Sequence, residues 1–242
     1  MSGQIVLFDI PSREPRTCWS LNPWKTRILL NYKGLDYRTE WLEYPDIRPR
    51  LEPHLPPNEG NMKYTIPTIQ LPSGEYITDS AKIADAIEAA HPSPPVHLDS
   101  PILPKIYDIA ARVRTPILGL YATGVPEYIL AEASKPYWYE TRAKFIGKPV
   151  EQLKAEMDVD AAWAEAGATV QEATTLLKEN GDGPFFLGKE ISYADFVWAG
   201  FLLFSKRARP GLLDDILARS GDAEAHLALL KALEPWTERD GH

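Results

Sequence analysis

The distribution of proline constrains this chain more than any other feature of its sequence. The chain has 22 prolines among 242 residues, roughly twice the usual share of about 5%, and five fall in each of two clusters, at 45–57 and 91–104. Proline lacks an amide hydrogen and therefore interrupts helices and strands. The second cluster (HPSPPVHLDSPILP) predicts a stiff, extended linker at 92–104. This linker would separate one domain at 1–91 from a second domain at 105–242.

The segment before the linker alternates strands with helices. A short apolar run at 5–8 is typical of a buried strand, and the helical run that follows begins with Asn22 as N-cap and Pro23 at the first helical position. Gly34 ends this helix. Further strands are predicted at 37–44, at 66–71 and at 76–77, and a second helix at 79–90. The order β-α-β, then β-β-α after the first proline cluster, is a thioredoxin-like α/β arrangement.

The segment after the linker shows only helical patterns. Apolar residues recur at steps of three and four from Ile102 to Leu120, and Pro116 is expected to kink this helix. Pro149 opens a long amphipathic stretch that ends near residue 180. Ser192 and Asp195 form the S-x-x-D pattern of a capping box. The run behind them (FVWAGFLLF) is apolar on all sides, which predicts a central helix in an all-α helical C-terminal domain.

Charge and composition exclude several classes of function. There are 34 acidic and 26 basic side chains, so the net charge is −8, and the chain lacks the basic surface that nucleic acid or anionic lipid requires. The single cysteine, Cys18, forms no internal disulfide and predicts a reducing compartment, the cytoplasm. The sequence shows no secretion signal and no apolar run long enough for a membrane span. It also lacks metal-ligand spacings, a phosphate loop and the dinucleotide and serine-hydrolase motifs.

Five local patterns occur in a characteristic order and spacing along the chain. They are a loop serine before a K-x-R-x-x-L helix, a glycine at the end of that helix, an Ile-Pro pair before a strand, an Asp-Ser pair opening a helix, and an F-L-G-K-x-I-S-Y-A-D segment. The residues that carry them are Ser20 with 25–30, Gly34, Ile66 with Pro67, Asp79 with Ser80, and 186–195. The chain therefore resembles a cytosolic glutathione transferase over nearly its whole length. The stretches 19–34 and 43–46 are similar to the fungal etherase-related (FuA-type) enzymes, named for their likeness to bacterial lignin β-aryl-etherases.

The resemblance implies glutathione as co-substrate and a serine that activates its thiol. A glutathione thiol has a cysteine-like pKa of roughly 8.5, so the enzyme must favour the thiolate. Ser20 matches the catalytic serine of the family, and Asn22 is a second donor to the sulfur; the alternative for both is helix capping. Ile66 and a cis Pro67 would pair with the cysteinyl backbone of glutathione.

The two ends of glutathione would be held by different residues. Ser80 would present its hydroxyl and amide to the γ-glutamyl carboxylate at the start of a helix, and Asp79 would bind the α-amino group. Most members of the family have Glu at the position of Asp79. The candidates for the glycyl carboxylate are Lys63 and His54.

A second, hydrophobic substrate is expected between the two domains. Trp19 and Trp24 flank Ser20, and the kinked helix would bring Ile117, Tyr121 and Tyr128 towards the same side. This lining suits aromatic electrophiles, including aryl ethers. Two alternatives stay open at this stage, a binding protein for aromatic or phenolic metabolites and a thioltransferase that uses Cys18. The resemblance is also compatible with a homodimer.

Overall fold

The computed structural model describes residues 3–60 and 62–241, and the part before residue 91 contains a four-stranded sheet. The strands of this described sheet are β1 (Ile5–Asp9), β2 (Tyr37–Trp41), β3 (Thr68–Gln70) and β4 (Tyr76–Thr78). They lie in the order β2-β1-β3-β4, with β1 and β2 parallel and the other pairs antiparallel. Every residue of β1 is buried, as expected for an apolar strand with a neighbour on each side.

Three helices of this part of the chain are α1 (Leu21–Tyr32), α2 (Tyr44–Leu51) and α3 (Ser80–Ala90). The sequence did not predict α2, because the aromatic run at 37–44 favours a strand as far as Tyr44 and the first proline cluster favours an irregular connection. Pro45 lies in the first turn of α2, where the missing amide hydrogen has no helical partner to lose. The predicted start of α1 was also wrong, since Ser20 and not Asn22 is the N-cap.

The part of the chain after the linker is helical, as predicted, and the α/β plus all-α fold class is confirmed. Its helices in the described ranges are α4 (Ile102–Arg114), α5 (Leu118–Tyr128), α6 (Lys135–Ile146), α7 (Val150–Glu156), α8 (Val159–Glu179), α9 (Tyr193–Ala208), α10 (Leu212–Leu217) and α11 (Ala223–Thr237). The kink expected at Pro116 is a full break between α4 and α5. The long helix predicted from Pro149 is two helices, because the chain turns at Met157 and Asp158 caps the second one.

The predicted central helix is α9. Its capping box is present, with the Ser192 side chain bonded to backbone at Asp195 and the Asp195 side chain bonded to the Ser192 amide. Nearly every residue of α9 is buried, and α9 packs on α1 as well as on helices of its own half. Gly200 makes the contact with α1 possible, because a Cβ at this position would lie 2.8 Å from the carbonyl oxygen of Leu21.

The segment between α3 and α4 contains no helix or strand, and buried hydrogen bonds hold it in place. The ammonium of Lys33, the residue that caps the end of α1, pairs with Glu88 and donates to the carbonyls of His91 and Pro94. On the other side, the amide of Tyr193 donates to the Val96 carbonyl. The segment is therefore fastened to both halves. The division into domains at 92–104 stays a prediction.

Candidate active site

A cavity of about 690 Å³ lies between the two halves and is called here the large cavity. Its floor is the loop before α1 and its walls come from α2, α4, α5, α6 and α9. The lining residues are mostly aromatic or aliphatic, with three basic side chains among them. They are Trp19, Ser20, Leu21, Asn22, Tyr44, Met62, Arg114, Leu118, Tyr121, Trp138, Thr141, Arg142, Lys144, Phe145, Ile146 and Phe204.

Ser20 lies at the N-terminus of α1 with its hydroxyl facing no protein partner. As N-cap it has extended backbone angles, yet its side chain makes no capping hydrogen bond, and the hydroxyl has no partner anywhere in residues 3–60 and 62–241. The sequence of the first turn of α1 (LNPW) contains no acidic residue. The N-terminus of a helix carries a partial positive charge. A hydroxyl donor and this partial charge therefore meet at the edge of the large cavity.

A second cavity of about 250 Å³, called here the small cavity, adjoins this place. Its lining includes four of the residues that the resemblance assigns to glutathione, and Asn22 lines both cavities. The residues of the small cavity are Asn22, Lys25, Thr65, Ile66, Pro67, Asp79, Ser80, Ala81 and Tyr107. The peptide bond before Pro67 is cis. In the described part of the chain, neither the amide nor the carbonyl of Ile66 has a backbone partner.

The start of α3 forms one wall of the small cavity. Asp79 caps the helix, and its Oδ1 accepts from the amides of Ala81 and Lys82. The backbone of Asp79 has φ of 82°, a conformation that costs L-residues energy and that tends to occur at functional sites. Ser80 is buried, and its carbonyl accepts from the Tyr193 hydroxyl at 2.8 Å. The hydroxyl of Ser80 has no partner among the described residues, so it is available to a ligand.

Lys25 also lines the small cavity. Its place in the K-x-R-x-x-L motif predicted α1 but no role at the site. Lys25 is 5% exposed, and its Nζ lies 4.8 Å from the centre of the Tyr107 ring. Within the described ranges it makes no hydrogen bond and no ion pair. Its pKa is lowered to about 8, mainly by burial and also by the charge of Arg114, against a smaller opposite effect of Asp79. The small cavity thus holds a buried ammonium without a carboxylate bound to it.

Several predicted site residues do not line either cavity. Trp24 is 3% exposed and Ile117 is fully buried, so both belong to the core, and Leu118 takes the place expected for Ile117. Tyr128 is exposed on the surface. Trp19 and Tyr121 do line the large cavity.

The two candidates for the glycyl carboxylate also lie outside both cavities. The imidazole of His54 stacks on the Tyr76 ring, with 4.3 Å between ring centres. Lys63 is exposed, and its carbonyl accepts from the Asn58 amide.

Cys18 is placed where a redox role is disfavoured. Its side chain is fully buried and lines neither cavity. Burial raises the pKa of the Cys18 thiol well above its usual value, and the carboxylate of Asp9 raises it further. The thiolate is the reactive form of cysteine, so this environment argues against the thioltransferase alternative.

The described residues provide neither a cluster of metal ligands nor a membrane-spanning helix. No group of three or more His, Cys, Asp or Glu residues in 3–60 and 62–241 is arranged to hold a metal ion. In the same ranges, no helix is both long and apolar enough to cross a membrane.

Comparison with known families and structures agrees with this geometry. A family model described as the N-terminal domain of glutathione S-transferase matches residues 19–90, and one described as the C-terminal domain matches 108–227. A curated relative is the glutathione S-transferase-like protein ustS of Aspergillus flavus. It is 33% identical in an alignment that covers 97% of this chain and 91% of the relative.

Two solved structures are similar over almost the full length. The glutathione transferase GSTFuA3 from Phanerochaete chrysosporium is 27% identical with a TM-score of 0.82, and 98% of each chain is covered. A glutathione S-transferase of Ceriporiopsis subvermispora, solved in complex with glutathione, is 29% identical with a TM-score of 0.78, over 97% of this chain and 98% of that one.

Proposed function

The chain belongs to the glutathione S-transferase family, and from that premise we propose that Ser20 holds the glutathione thiolate for attack on an aromatic electrophile. The resemblance to the fungal FuA-type enzymes is confirmed. The proposal goes beyond this resemblance in two respects. It assigns serine as the activating residue, and it assigns an aromatic second substrate, aryl ethers included.

The chemical task is to bind the thiolate more tightly than the thiol. Lowering the thiol pKa by about two units requires about 2.7 kcal/mol of preferential stabilisation. A hydrogen bond from a hydroxyl to a charged acceptor contributes about 1.5–3 kcal/mol, and a helix N-terminus contributes about 0.3–1 kcal/mol. Together the two effects are large enough.

The single observation that carries the proposal is the unpartnered hydroxyl of Ser20 at the N-terminus of α1. If Ser20 served only as a cap, its hydroxyl would bond to an amide of the first turn, and it does not. The side chain instead lines the large cavity next to Asn22, which lines both cavities. A sulfur at the junction of the two cavities would lie within reach of both side chains.

The peptide would lie across the small cavity. Its γ-glutamyl carboxylate would accept from Ser80 at the positive end of α3 and face the ammonium of Lys25. Its α-amino group would pair with Asp79, since only Oδ1 of that carboxylate is used for capping. The cysteinyl backbone would pair with Ile66. Lys63 and His54 stay predictions for the glycyl end.

The test is Ser20→Ala, compared with Asn22→Ala in the same turn. Loss of a charge-assisted hydrogen bond of about 1.5–3 kcal/mol lowers the thiolate population by roughly 10- to 150-fold below the pKa of the bound thiol. We expect the pKa of bound glutathione, read from thiolate absorbance in the ultraviolet, to rise in Ser20→Ala while the glutathione Kd changes much less. If Ser20→Ala leaves both the pKa and the turnover unchanged and Asn22→Ala raises the pKa, Asn22 is the activating residue and the serine proposal is wrong.

A ligand-binding role, a homodimer and a cytoplasmic location are further expectations that experiments can test. A binding protein for aromatic metabolites would show ligand binding without conjugation, so turnover on a panel of electrophiles separates it from a transferase. A homodimer and a cytoplasmic location are expected from the family and from the lone cysteine. Mass measurement of the native protein in solution tests the first of these two, and imaging of the tagged full-length chain in its host cell tests the second.

A further inference from the structure

Two arginines without carboxylate partners line the large cavity. Arg114 lies at the end of α4 and Arg142 near the end of α6, both half-buried. Neither forms an ion pair within residues 3–60 and 62–241. The cavity lining itself contains no Asp or Glu in these ranges, and the third basic residue, Lys144, is paired with Glu140 outside it. The cavity therefore presents two guanidinium charges that no described side chain neutralises.

Most other arginines in the described part of the chain pair with a carboxylate, although Arg13 and Arg239 bond to backbone carbonyls instead. Arg112, two residues before Arg114, holds both Asp108 and Glu172, and Arg50 holds Glu40. The chain has eight more acidic than basic residues, so carboxylates are abundant on its surface. The chain as a whole is acidic, but the two unpaired guanidiniums give this cavity a local positive charge. The cavity is therefore complementary to an anion.

The guanidinium of Arg142 is held in a fixed position by aromatic rings. It lies 4.0 Å from the centre of the Trp138 ring and 5.8 Å from that of Tyr44, distances typical of cation–π contacts. Its Nη1 donates to Thr141 Oγ1 at 3.1 Å. An arginine stacked in this way keeps its charge and loses little further side-chain freedom when a ligand binds.

Arg114 lines the same cavity from another helix, α4. Its Nε donates to the Ala110 carbonyl at 2.8 Å, which anchors the side chain along α4. Both arginines affect the hydroxyl of Tyr121. Burial raises the pKa of this hydroxyl, and the charges of Arg114 and Arg142 lower it. The positive charge from the two walls therefore reaches the same part of the cavity.

The rest of the lining is suited to an aromatic ring. Trp19, Leu118 and Phe204 form apolar walls, and Tyr121 packs edge-on against Phe204 with 5.3 Å between ring centres. Phe145 lines the same cavity and is 73% exposed. An exposed phenylalanine at a cavity mouth is the kind of surface that an apolar ligand covers.

We propose that the second substrate is an aromatic electrophile that carries a carboxylate, bound by Arg142 and Arg114 while its ring lies against the apolar walls. A carboxylate accepts two parallel hydrogen bonds from one guanidinium, which fixes orientation as well as adding affinity. This inference rests on the proposed function, because it takes the large cavity as the site of the electrophile.

The reaction used as a probe is displacement at an aromatic ring. The glutathione sulfur forms a bond to the ring carbon, the bond from that carbon to chlorine breaks, chloride leaves with the electron pair, and the thiol proton goes to solvent. Two probes share the ring and the leaving group and differ in charge, a chlorodinitrobenzoate and the matching neutral chlorodinitrobenzamide. Because the two substituents activate the ring differently, each kcat/KM is divided by the rate constant of the uncatalysed reaction of that probe with glutathione. The measured quantity is the ratio of the two normalised kcat/KM values.

The variants are Arg142→Gln and Arg114→Gln, and the matched control is Arg112→Gln. All three remove one positive charge, and the control removes it on the outer face of α4, where Arg112 pairs with Asp108 and Glu172. We expect the wild type and the control to prefer the benzoate, and each cavity variant to lower the ratio by about tenfold or more, the effect of one charge-assisted hydrogen bond. Added salt should lower the ratio less than the two cavity substitutions do, because the ion pair between the probe carboxylate and the guanidiniums would be partly buried.

A ratio that is the same in the wild type and in Arg142→Gln would overturn the proposal. If Arg114→Gln raises the glutathione Kd and leaves the ratio of the two kcat/KM values unchanged, Arg114 binds glutathione and not the second substrate. The role proposed for Arg114 would then be wrong. If the wild type conjugates neither probe, fluorescence of Trp19 and Trp138 in the cavity reports binding instead. Benzoate binding that weakens in Arg142→Gln would then support the anion site and refute only the transferase proposal, whereas equal binding of both probes would overturn the anion site.

Discussion

Lys25→Met is expected to stabilise the free protein. Methionine keeps the length and most of the apolar contacts of the lysine stem, and it removes a buried ammonium that has no hydrogen bond in the described part of the chain. Burial lowers the pKa of Lys25 from 10.5 to about 8. The folded protein therefore holds the charged form at a cost that the unfolded chain does not bear.

The size and the pH dependence of the effect follow from that pKa. One pKa unit corresponds to about 1.4 kcal/mol, so the difference between 10.5 and about 8 corresponds to up to about 3 kcal/mol in the free energy of unfolding. At about pH 7 both states are charged and the variant has its full advantage. Between about pH 8 and the ordinary value of 10.5, the unfolded chain binds more protons than the folded protein. The wild type gains stability over this range, and the advantage of the variant disappears.

The assay is denaturant unfolding of wild type, Lys25→Met and the control Lys105→Met, which removes an exposed lysine from α4, at several values between about pH 7 and pH 10.5. A second series with saturating glutathione should favour the wild type, because the γ-glutamyl carboxylate would neutralise the ammonium. The reasoning is refuted if Lys25→Met is no more stable than wild type at about pH 7, or if the difference stays constant across the range.

Two further substitutions test how the site is held. Gly200→Ala would place a Cβ against the Leu21 carbonyl, so we expect a loss of about 1–3 kcal/mol in stability. Turnover should fall about tenfold or more, because the start of α1 moves. The control Gly167→Ala overpacks α8 and should lose stability with turnover nearly unchanged. Cys18→Ser should keep turnover within a few-fold, because the buried thiol lines neither cavity, and a glutathione adduct on Cys18 with loss of turnover in the variant would contradict this.

Features that depend on a few neighbouring residues were predictable from the sequence. The capping box of Ser192 and Asp195 is complete within four residues, and the start of α3 at Ser80 with Asp79 as its cap is equally local. The placement of Ser80, Ile66 and Pro67 around one cavity followed from the resemblance to a family.

Features that depend on direction or on distant partners were not predictable. Pro116 signals a break, but the direction in which the chain leaves it decides that Leu118 and not Ile117 faces the large cavity. Lys25, Arg114 and Arg142 belong to α1, α4 and α6. Each is typical of an ordinary solvated charge in its own segment. Only the packing of the helices places Lys25 in the small cavity and the two arginines in the large one.

The hydrogen bonds at the two ends of α3 differ in their effect on how this enzyme can admit a substrate. Tyr193 holds its first residue, and Lys33 holds Glu88 together with the chain just beyond its last turn. The Lys33 bonds fix the chain after α3 to the first half and would survive an opening of the two halves. Such an opening would break the Tyr193 bond and separate the packed faces of α1 and α9. Widening the cleft therefore costs free energy. At about 690 Å³ it admits molecules of one or a few aromatic rings, within the roughly 300–1,000 Å³ usual for small-ligand sites, and a polymer would enter it only by a chain end.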